Sequence, residues 1–169
     1  MKYKKISIIG LGFIGLPLFV YLNSKLNNQV VGIDKKSLLT KDKFSKLIRG
    51  TNPIKSNDEN FDKLVKKISK QKLNLSTNIN DIKKTNIVVV SVGFDLTKKN
   101  SINNLKRLFQ KIGEIIEENT LIIFETTVIP GTSENIILPI LKKEIEKRNL
   151  DFSKIYFSYS FERITPGKN

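Results

Sequence analysis

Three glycines follow the first apolar run of the chain and stand at the spacing Gly-x-Gly-x-x-Gly. They fall within residues 10–15, between the apolar run 6–9 and an amphipathic stretch that reaches about residue 26. At a strand-to-helix turn, the first glycine permits the tight turn, the second lets a diphosphate approach the main chain, and the third lets helix and strand pack closely. The N–H groups at the start of the helix would then face the phosphates. The spacing predicts a dinucleotide site formed by Gly10, Gly12, Phe13, Ile14 and Gly15.

A carboxylate stands where such a site would need one. Asp34 ends a second apolar run and lies 19 residues after Gly15, about the separation at which an acidic residue binds the hydroxyls of the adenosine ribose. A carboxylate there repels a 2′-phosphate and favours NAD over NADP. Lys35 and Lys36 follow at once, and because either could meet a phosphate they weaken that preference. The alternative for Asp34 is an ordinary turn residue at a strand end.

Hydroxyl and charged side chains follow two later apolar runs. Residues 124–132 close a predicted strand and open a helix, so the hydroxyls there could bind a nicotinamide ribose or a reacting oxygen. The alternative is a turn with a helix cap supplied by Thr132 or Ser133. Glu162 and Arg163 follow the last predicted strand. They could supply a base and an anion clamp, or only a solvated salt bridge.

The elements that must position these residues alternate along the chain. Apolar runs predict strands at 6–9, 30–34, 87–92, 121–124 and 155–159. Helical spacing predicts helices up to about 26 and at 37–49, 61–70, 101–118 and from 132 or 133 to about 148, the last made irregular by Pro139. Strands buried on both faces and alternating with helices indicate an α/β fold. We expect a Rossmann-type doubly wound, mostly parallel sheet with helices on both faces, and one dinucleotide-binding domain over residues 1–169.

Composition excludes several classes of site. The 169 residues contain no cysteine and no histidine, which rules out disulfides, Cys/His zinc sites, Ser–His–Asp triads and cysteine nucleophiles within this chain. We expect no metal site. The net charge is +14, and residues 35–72 carry much of it, but that stretch has one arginine and two aromatic residues. Because nucleic-acid readers mix arginine and aromatic residues into such patches, no nucleic-acid partner is expected.

The N-terminal apolar run has the look of a signal peptide or membrane anchor. Lysines precede residues 6–22, which are almost wholly apolar. Glycines and Pro17 divide this run into two elements, however, and no small-residue cleavage site of the Ala-x-Ala kind follows it. We therefore expect a cytoplasmic chain with no membrane partner.

Taken together, these segments resemble the nucleotide-sugar dehydrogenase family, which includes the UDP-glucose and UDP-N-acetylmannosamine dehydrogenases. The resemblance covers essentially the whole chain, and its motifs occur in order. They are the glycine motif with its trailing Leu-Pro at 9–18, Arg-Gly-Thr-Asn-Pro-Ile at 49–54, Glu-Thr-Thr-Val at 125–128, Pro-Gly-Thr at 130–132, and Glu-Arg-x-x-Pro-Gly at 162–167.

The resemblance implies an NAD-dependent, four-electron oxidation of a UDP-sugar C6 alcohol to the uronate, for surface polysaccharide synthesis. The family passes through a thiohemiacetal and a thioester on a cysteine. If the family's residue roles apply at the matching positions, Thr127 contacts the cofactor and helps to position the catalytic water. Glu162 then acts as acid and base in thioester hydrolysis, and Glu162 and Arg163 bind substrate. Lys35 and Val92 join the expected cofactor contacts.

Two departures from the family pattern bear on activity. After the strand at 87–92 the family usually carries Pro-Thr-Pro or Gly-Thr-Pro, whereas residues 92–95 here are Val-Gly-Phe-Asp. The family's cysteine, lysine, substrate-binding half and main dimer contacts lie beyond the point where this sequence ends. We expect an N-terminal cofactor domain, as a gene fragment, a truncated form or half of a split enzyme with a separately encoded C-terminal half. Alone, it should bind NAD weakly and reduce none.

Two other functions remain open at this point. One is half of a different β-hydroxyacid-type dehydrogenase, although such enzymes are not expected to carry Glu162-Arg163 before Pro166-Gly167. The other is a basic module that binds NAD without catalysis.

Overall fold

A single parallel sheet forms the centre of the protein. The computed structural model describes residues 5–26, 29–54, 58–95, 97–98 and 100–162. The sheet has six strands in the order β3-β2-β1-β4-β5-β6, and every neighbouring pair is parallel. The strands are β1 (Ile6–Ile9), β2 (Val30–Ile33), β3 (Asn74–Ser76), β4 (Ile87–Val90), β5 (Leu121–Phe124) and β6 (Tyr156–Tyr159). The α/β fold class predicted from the alternating pattern is confirmed.

Helices cover both faces of the sheet. The described residues contain the α-helices α1 (Gly15–Leu26), α2 (Leu38–Ile48), α3 (Glu59–Ile68), α4 (Ser101–Ile115) and α5 (Leu138–Glu146). On one face α1 and α3 pack on a core that includes Ile8 and Phe19, and on the other α4 and α5 pack on a core that includes Val90 and Phe109. Successive strand residues point to opposite faces, so both faces need apolar side chains. None of the helices in the described ranges is long and apolar enough to cross a bilayer.

The edge strand β3 is an element that the hydrophobic pattern did not predict. It has only three residues, and all three are partly exposed. Two of them are polar, Asn74 and Ser76, so neither alternation nor a continuous apolar run marks the strand. A 3-10 helix, Ile79–Lys84, then leads into β4. The β3 pairing extends one residue beyond the ladder, because Asp34 donates its N–H to the Ser76 carbonyl at 3.1 Å.

The expected helix cap at Thr132 or Ser133 is wrong. Thr132 already has helical backbone angles and makes no capping bond; its hydroxyl donates to the Ile129 carbonyl at 2.6 Å. A π turn, Ser133–Ile137, precedes α5, and the Leu138 N–H donates five residues back to Ser133. Pro139 has no N–H to give to the carbonyl four residues back, which accounts for an irregular start to this helix. The irregularity expected from Pro139 is present.

Candidate functional site

A crevice of about 700 Å³ opens at the carboxyl ends of the central strands. It lies where the chain leaves β1 for one side of the sheet and β4 for the other, which is the switch point at which open α/β sheets bind ligands. The loops after β1, β2 and β4 form its wall together with α2 and α4. The wall residues that matter below are Gly10, Leu11, Gly12, Asp34, Lys35, Lys43, Val92, Gly93, Phe94, Arg107 and Lys111.

Two of the three glycines are required by the protein itself. Gly10 has φ +91°, a conformation that L side chains rarely adopt, and a Cβ there would overlap the Ser91 carbonyl at the end of β4. A Cβ on Gly15 would overlap the Gly10 carbonyl oxygen. The Gly10 N–H donates to Ile33 at 2.8 Å, which ties the loop to β2. These contacts match the turn and packing roles expected of the first and third glycines.

Gly12 is different, because none of the residues that the structure describes requires a glycine there. A Cβ at this position would find no heavy atom within 4 Å. The residue is exposed in the crevice wall, just before α1 begins at Gly15. Bare main chain next to the positive end of a helix is suited to a diphosphate. The space over Gly12 therefore fits a dinucleotide.

Asp34 lies in the crevice wall at the end of β2, with its side chain 15% exposed. One carboxylate oxygen accepts the Lys35 N–H at 2.8 Å. The other accepts from the Lys43 ammonium group at 2.6 Å, and the same ammonium group donates to the Leu11 carbonyl in the glycine loop. Lys43 is a residue that sequence reasoning missed, since it lies nine positions after Asp34, within α2. A helical lysine on a Lys-rich surface gives no local signal for such a contact.

The loop after β4 is held by a buried hydroxyl. Thr126 donates to the Val92 carbonyl at 2.8 Å and is 4% exposed. Val92, Gly93 and Phe94 line the crevice, at the place where the family pattern has a different sequence. Thr126 thus sets the course of the loop that carries the expected contact Val92. From the sequence pattern, the hydroxyls at this edge could bind a ligand or belong to a turn with a helix cap, and neither alternative identified this positioning role.

Thr127 and Glu162 are adjacent, through a main-chain contact. The exposed Thr127 hydroxyl donates to the Glu162 carbonyl at 2.7 Å. Thr127 lines a second depression of about 370 Å³ at the ends of β5 and β6, together with Ile129, Tyr159 and Phe161. The expected substrate contact Arg163 lies outside the described residues.

The expected cofactor contacts are therefore divided between three positions. Gly10, Gly12, Asp34, Lys35 and Val92 form part of the crevice wall, Phe13, Ile14 and Gly15 continue the loop into α1, and Thr127 lines the second depression. Their individual contacts with a ligand stay predictions. The wall also contains Arg107 and Lys111 on α4, which sequence reasoning had placed only on a sheet-packing helix.

Glu125 is a carboxyl group in this region whose pKa lies above its ordinary value. Burial raises the pKa of Glu125, and the nearby Glu162 carboxylate raises it further. Its main chain is fixed at the end of β5, since its N–H donates to Val90 at 2.9 Å. Ionised Glu125 is thus an unfavourable group in the folded protein.

Replacing Glu125 by glutamine is expected to raise the melting temperature at pH 7. Because the folded-state pKa lies above the unfolded one, the folded protein binds this proton first as the pH falls. The wild type therefore gains stability from this group as the pH drops through the raised pKa, and the advantage of E125Q disappears below the ordinary carboxyl range. Melting curves from pH 4 to 8 test this, with the exposed Glu134→Gln as control. A lower melting temperature for E125Q at pH 7 contradicts it.

Comparison with known proteins gives consistent matches over the whole chain. The model of the UDP-glucose/GDP-mannose dehydrogenase family, NAD binding domain, matches residues 4–169. UDP-N-acetyl-D-glucosamine 6-dehydrogenase from Pseudomonas aeruginosa is 32% identical over 170 residues, covering 99% of this chain and 37% of the relative. UDP-N-acetyl-D-mannosamine dehydrogenase from Pyrococcus horikoshii is 27% identical over 166 residues, covering 97% and 37%. The chain thus spans little more than a third of these relatives.

Among solved structures, the NDP-N-acetyl-D-galactosaminuronic acid dehydrogenase from Methanosarcina mazei Go1 is similar in fold. Its TM-score is 0.78 at 24% identity, and the match covers 96% of this chain and 35% of the other. At that identity the likeness supports the Rossmann-type architecture alone.

Proposed function

The chain belongs to the UDP-glucose/GDP-mannose dehydrogenase family, as its NAD binding domain, and we propose that it holds NAD for the oxidation of a nucleotide sugar. NAD is the cofactor of that domain. The observation that carries the proposal is the exposed main chain at Gly12, which faces open space in the crevice beside the start of α1. The dehydrogenase resemblance noted from the motifs is confirmed at the level of the family.

The proposed roles of the crevice residues follow from their chemistry. When bound, NAD supplies the hydride acceptor. The main-chain N–H groups of the loop after Gly10 bind the diphosphate, and the Asp34 carboxylate accepts hydrogen bonds from the adenosine ribose hydroxyls. Lys35 adds positive charge at the same end, and Val92 contacts the nicotinamide half. Thr127 completes the cofactor contacts at the edge nearest the reacting atoms.

For the substrate, we propose a UDP-sugar whose C6 alcohol is oxidised to the uronate for surface polysaccharide synthesis. The support is the motif resemblance and the match to a relative described as a UDP-N-acetyl-D-glucosamine 6-dehydrogenase. Thr127 positions the hydrolytic water, Glu162 donates and accepts the proton, and Arg163 binds substrate. The hydrogen bond from the Thr127 hydroxyl to the Glu162 main-chain carbonyl supports only that the two residues are adjacent. The apolar run 6–22 forms β1 and most of α1 within the sheet domain, which supports a cytoplasmic reaction.

The covalent route also needs a thiol that these residues lack. The 169 residues contain no cysteine, and they span little more than a third of the relatives. We propose that residues 1–169 act as one cofactor domain, and that the thiol and most of the sugar site come from sequence corresponding to the rest of the relatives, in the same or a second polypeptide.

Calorimetric titration with NAD tests the cofactor site. The 169-residue chain is expected to bind NAD saturably, and Asp34→Ala to weaken binding by about tenfold or more, because each hydrogen bond to a charged group contributes roughly 1.5–3 kcal/mol. Asp42→Ala, an exposed carboxylate on α2, is the matched control and should bind like the wild type. Lack of saturation at millimolar NAD contradicts the proposal.

Turnover assays test the second half of the proposal. The chain alone is expected to form no NADH from UDP-sugars, and activity should require the cysteine-bearing remainder. NADH formation by the chain alone contradicts the proposal that the thiol and most of the sugar site lie outside these 169 residues. Saturable NAD binding with no activity in the complete assembly would favour a binding module without catalysis.

A further inference from the structure

The ion pair between Lys43 and Asp34 lies where the proposed function places the adenosine ribose. The ammonium group lies 2.6 Å from one Asp34 oxygen and also donates to the Leu11 carbonyl. The Lys43 side chain is 23% exposed and that of Asp34 is 15% exposed. Both residues line the crevice. The pair is therefore part of the wall and poorly screened by solvent.

This pairing changes what the carboxylate does to a phosphorylated ribose. A lone carboxylate excludes a 2′-phosphate by repulsion between like charges, and it accepts hydrogen bonds from an unmodified ribose. Here a cation is fixed against the carboxylate, so the net charge facing the 2′ position is close to zero. Each carboxylate oxygen still has a lone pair for a ribose hydroxyl. Binding of the unmodified ribose is preserved while the repulsion is weakened.

The other cations in the crevice wall are not paired with Asp34. Arg107 and Lys111 belong to the α4 wall, whereas Lys35 is exposed beside Asp34, where it could also meet a 2′-phosphate. Charge spread along the wall attracts the diphosphate, which NAD and NADP share, so it raises both affinities alike. Lys43 is instead in direct contact with the Asp34 carboxylate, which is proposed to contact the 2′ position of the ribose.

We propose that Lys43 is a specificity-determining residue that lets this chain accept NADP alongside NAD. This rests on the proposed function, in which Asp34 binds the adenosine ribose. Lys43 acts through Asp34 and through its own charge. Its ammonium group links the Asp34 carboxylate to the Leu11 carbonyl of the glycine loop. Lys43 thereby reduces the preference for NAD over NADP that the sequence predicts from Asp34.

The test measures the dissociation constants of NAD and NADP for the 169-residue chain and its variants. For the wild type, NADP is expected to bind within about tenfold of NAD. Lys43→Gln keeps a hydrogen-bond donor and removes the charge, and it should raise the ratio of NADP to NAD dissociation constants by about tenfold or more, since a unit charge is lost beside a dianionic phosphate. Lys43→Arg should keep the wild-type ratio. Lys46→Gln, which makes the same change at a half-exposed cation on the same helix, is the matched control.

The outcomes separate this inference from the function on which it rests. An unchanged ratio in folded K43Q, with both affinities reduced equally, shows that Lys43 is merely structural and overturns the proposal. A wild-type ratio above about a hundredfold overturns it without any variant. In both cases NAD binding by the wild type leaves the proposed function standing, whereas no binding of either cofactor overturns the two together. Added salt should reduce the difference between wild type and K43Q, because a charge effect is screened.

Discussion

Gly12→Val is expected to reduce NAD binding by on the order of a hundredfold while leaving the protein folded. A valine side chain would project into the space over the loop, where no heavy atom lies within 4 Å of the added Cβ. That is the space proposed for the diphosphate. Losing two charge-assisted hydrogen bonds from main-chain N–H groups costs roughly 3 kcal/mol, which is about a hundredfold in affinity. Calorimetric titration with NAD measures the loss directly.

Circular dichroism and thermal melting of the same variant complete this test. The φ angle of Gly12 is not in the left-handed region and its Cβ meets nothing, so the melting temperature should change little. Thr51→Val is the control, because it places the same side chain at an exposed position that is not among the crevice-lining residues. Wild-type NAD affinity in folded G12V would place the diphosphate elsewhere and remove the observation on which the proposed function depends.

The dinucleotide loop could be predicted from sequence because its chemistry is local. Gly10, Gly12 and Gly15 act within six consecutive residues, and each answers to a steric requirement that spacing alone reveals. The structure adds a distinction that the spacing does not contain. Two of the glycines are required by the fold itself, whereas a Cβ on Gly12 would meet none of the described atoms.

The walls of the crevice could not be predicted in the same way, because they depend on contacts between distant elements. Lys43 reaches Asp34 across the β2–α2 connection, and Thr126 reaches Val92 over 34 positions. Neither contact leaves a periodic signal in the sequence. The strand β3 was not predicted for a related reason, since three partly exposed residues are too few to show a hydrophobic pattern.

The expectation for Thr132 failed because a local rule was overridden by tertiary structure. A threonine before an apolar helical pattern is a normal cap, but the chain enters α5 through a π turn instead. Ser133 is buried, with its hydroxyl unpaired among the described residues. Local capping rules therefore describe the N-termini of α2 and α3, where the Ser37 and Asp58 side chains accept hydrogen bonds from main-chain N–H groups. They do not describe the start of α5.

Gly10→Ala is expected to lower the free energy of unfolding by about 3 kcal/mol, a large share of the roughly 5–15 kcal/mol that holds a typical domain together. A φ of +91° costs a non-glycine residue about 1–2 kcal/mol. The added Cβ would also overlap the Ser91 carbonyl oxygen and come within 2.8 Å of its carbon. These are main-chain atoms at the end of β4, which cannot rotate away, and overpacking of this kind costs roughly 1–3 kcal/mol.

Urea denaturation of G10A against Gly12→Ala measures this difference with the same chemical change at two positions. The Gly12 variant adds an identical methyl group two residues further along the loop, where the Cβ meets no neighbour, so its stability should lie within about 0.5 kcal/mol of the wild type. If both variants unfold at the same urea concentration, the close approach of the loop to β4 is not the constraint. If only G10A is destabilised, the close approach of the glycine loop to the end of β4 stabilises the protein before any cofactor binds.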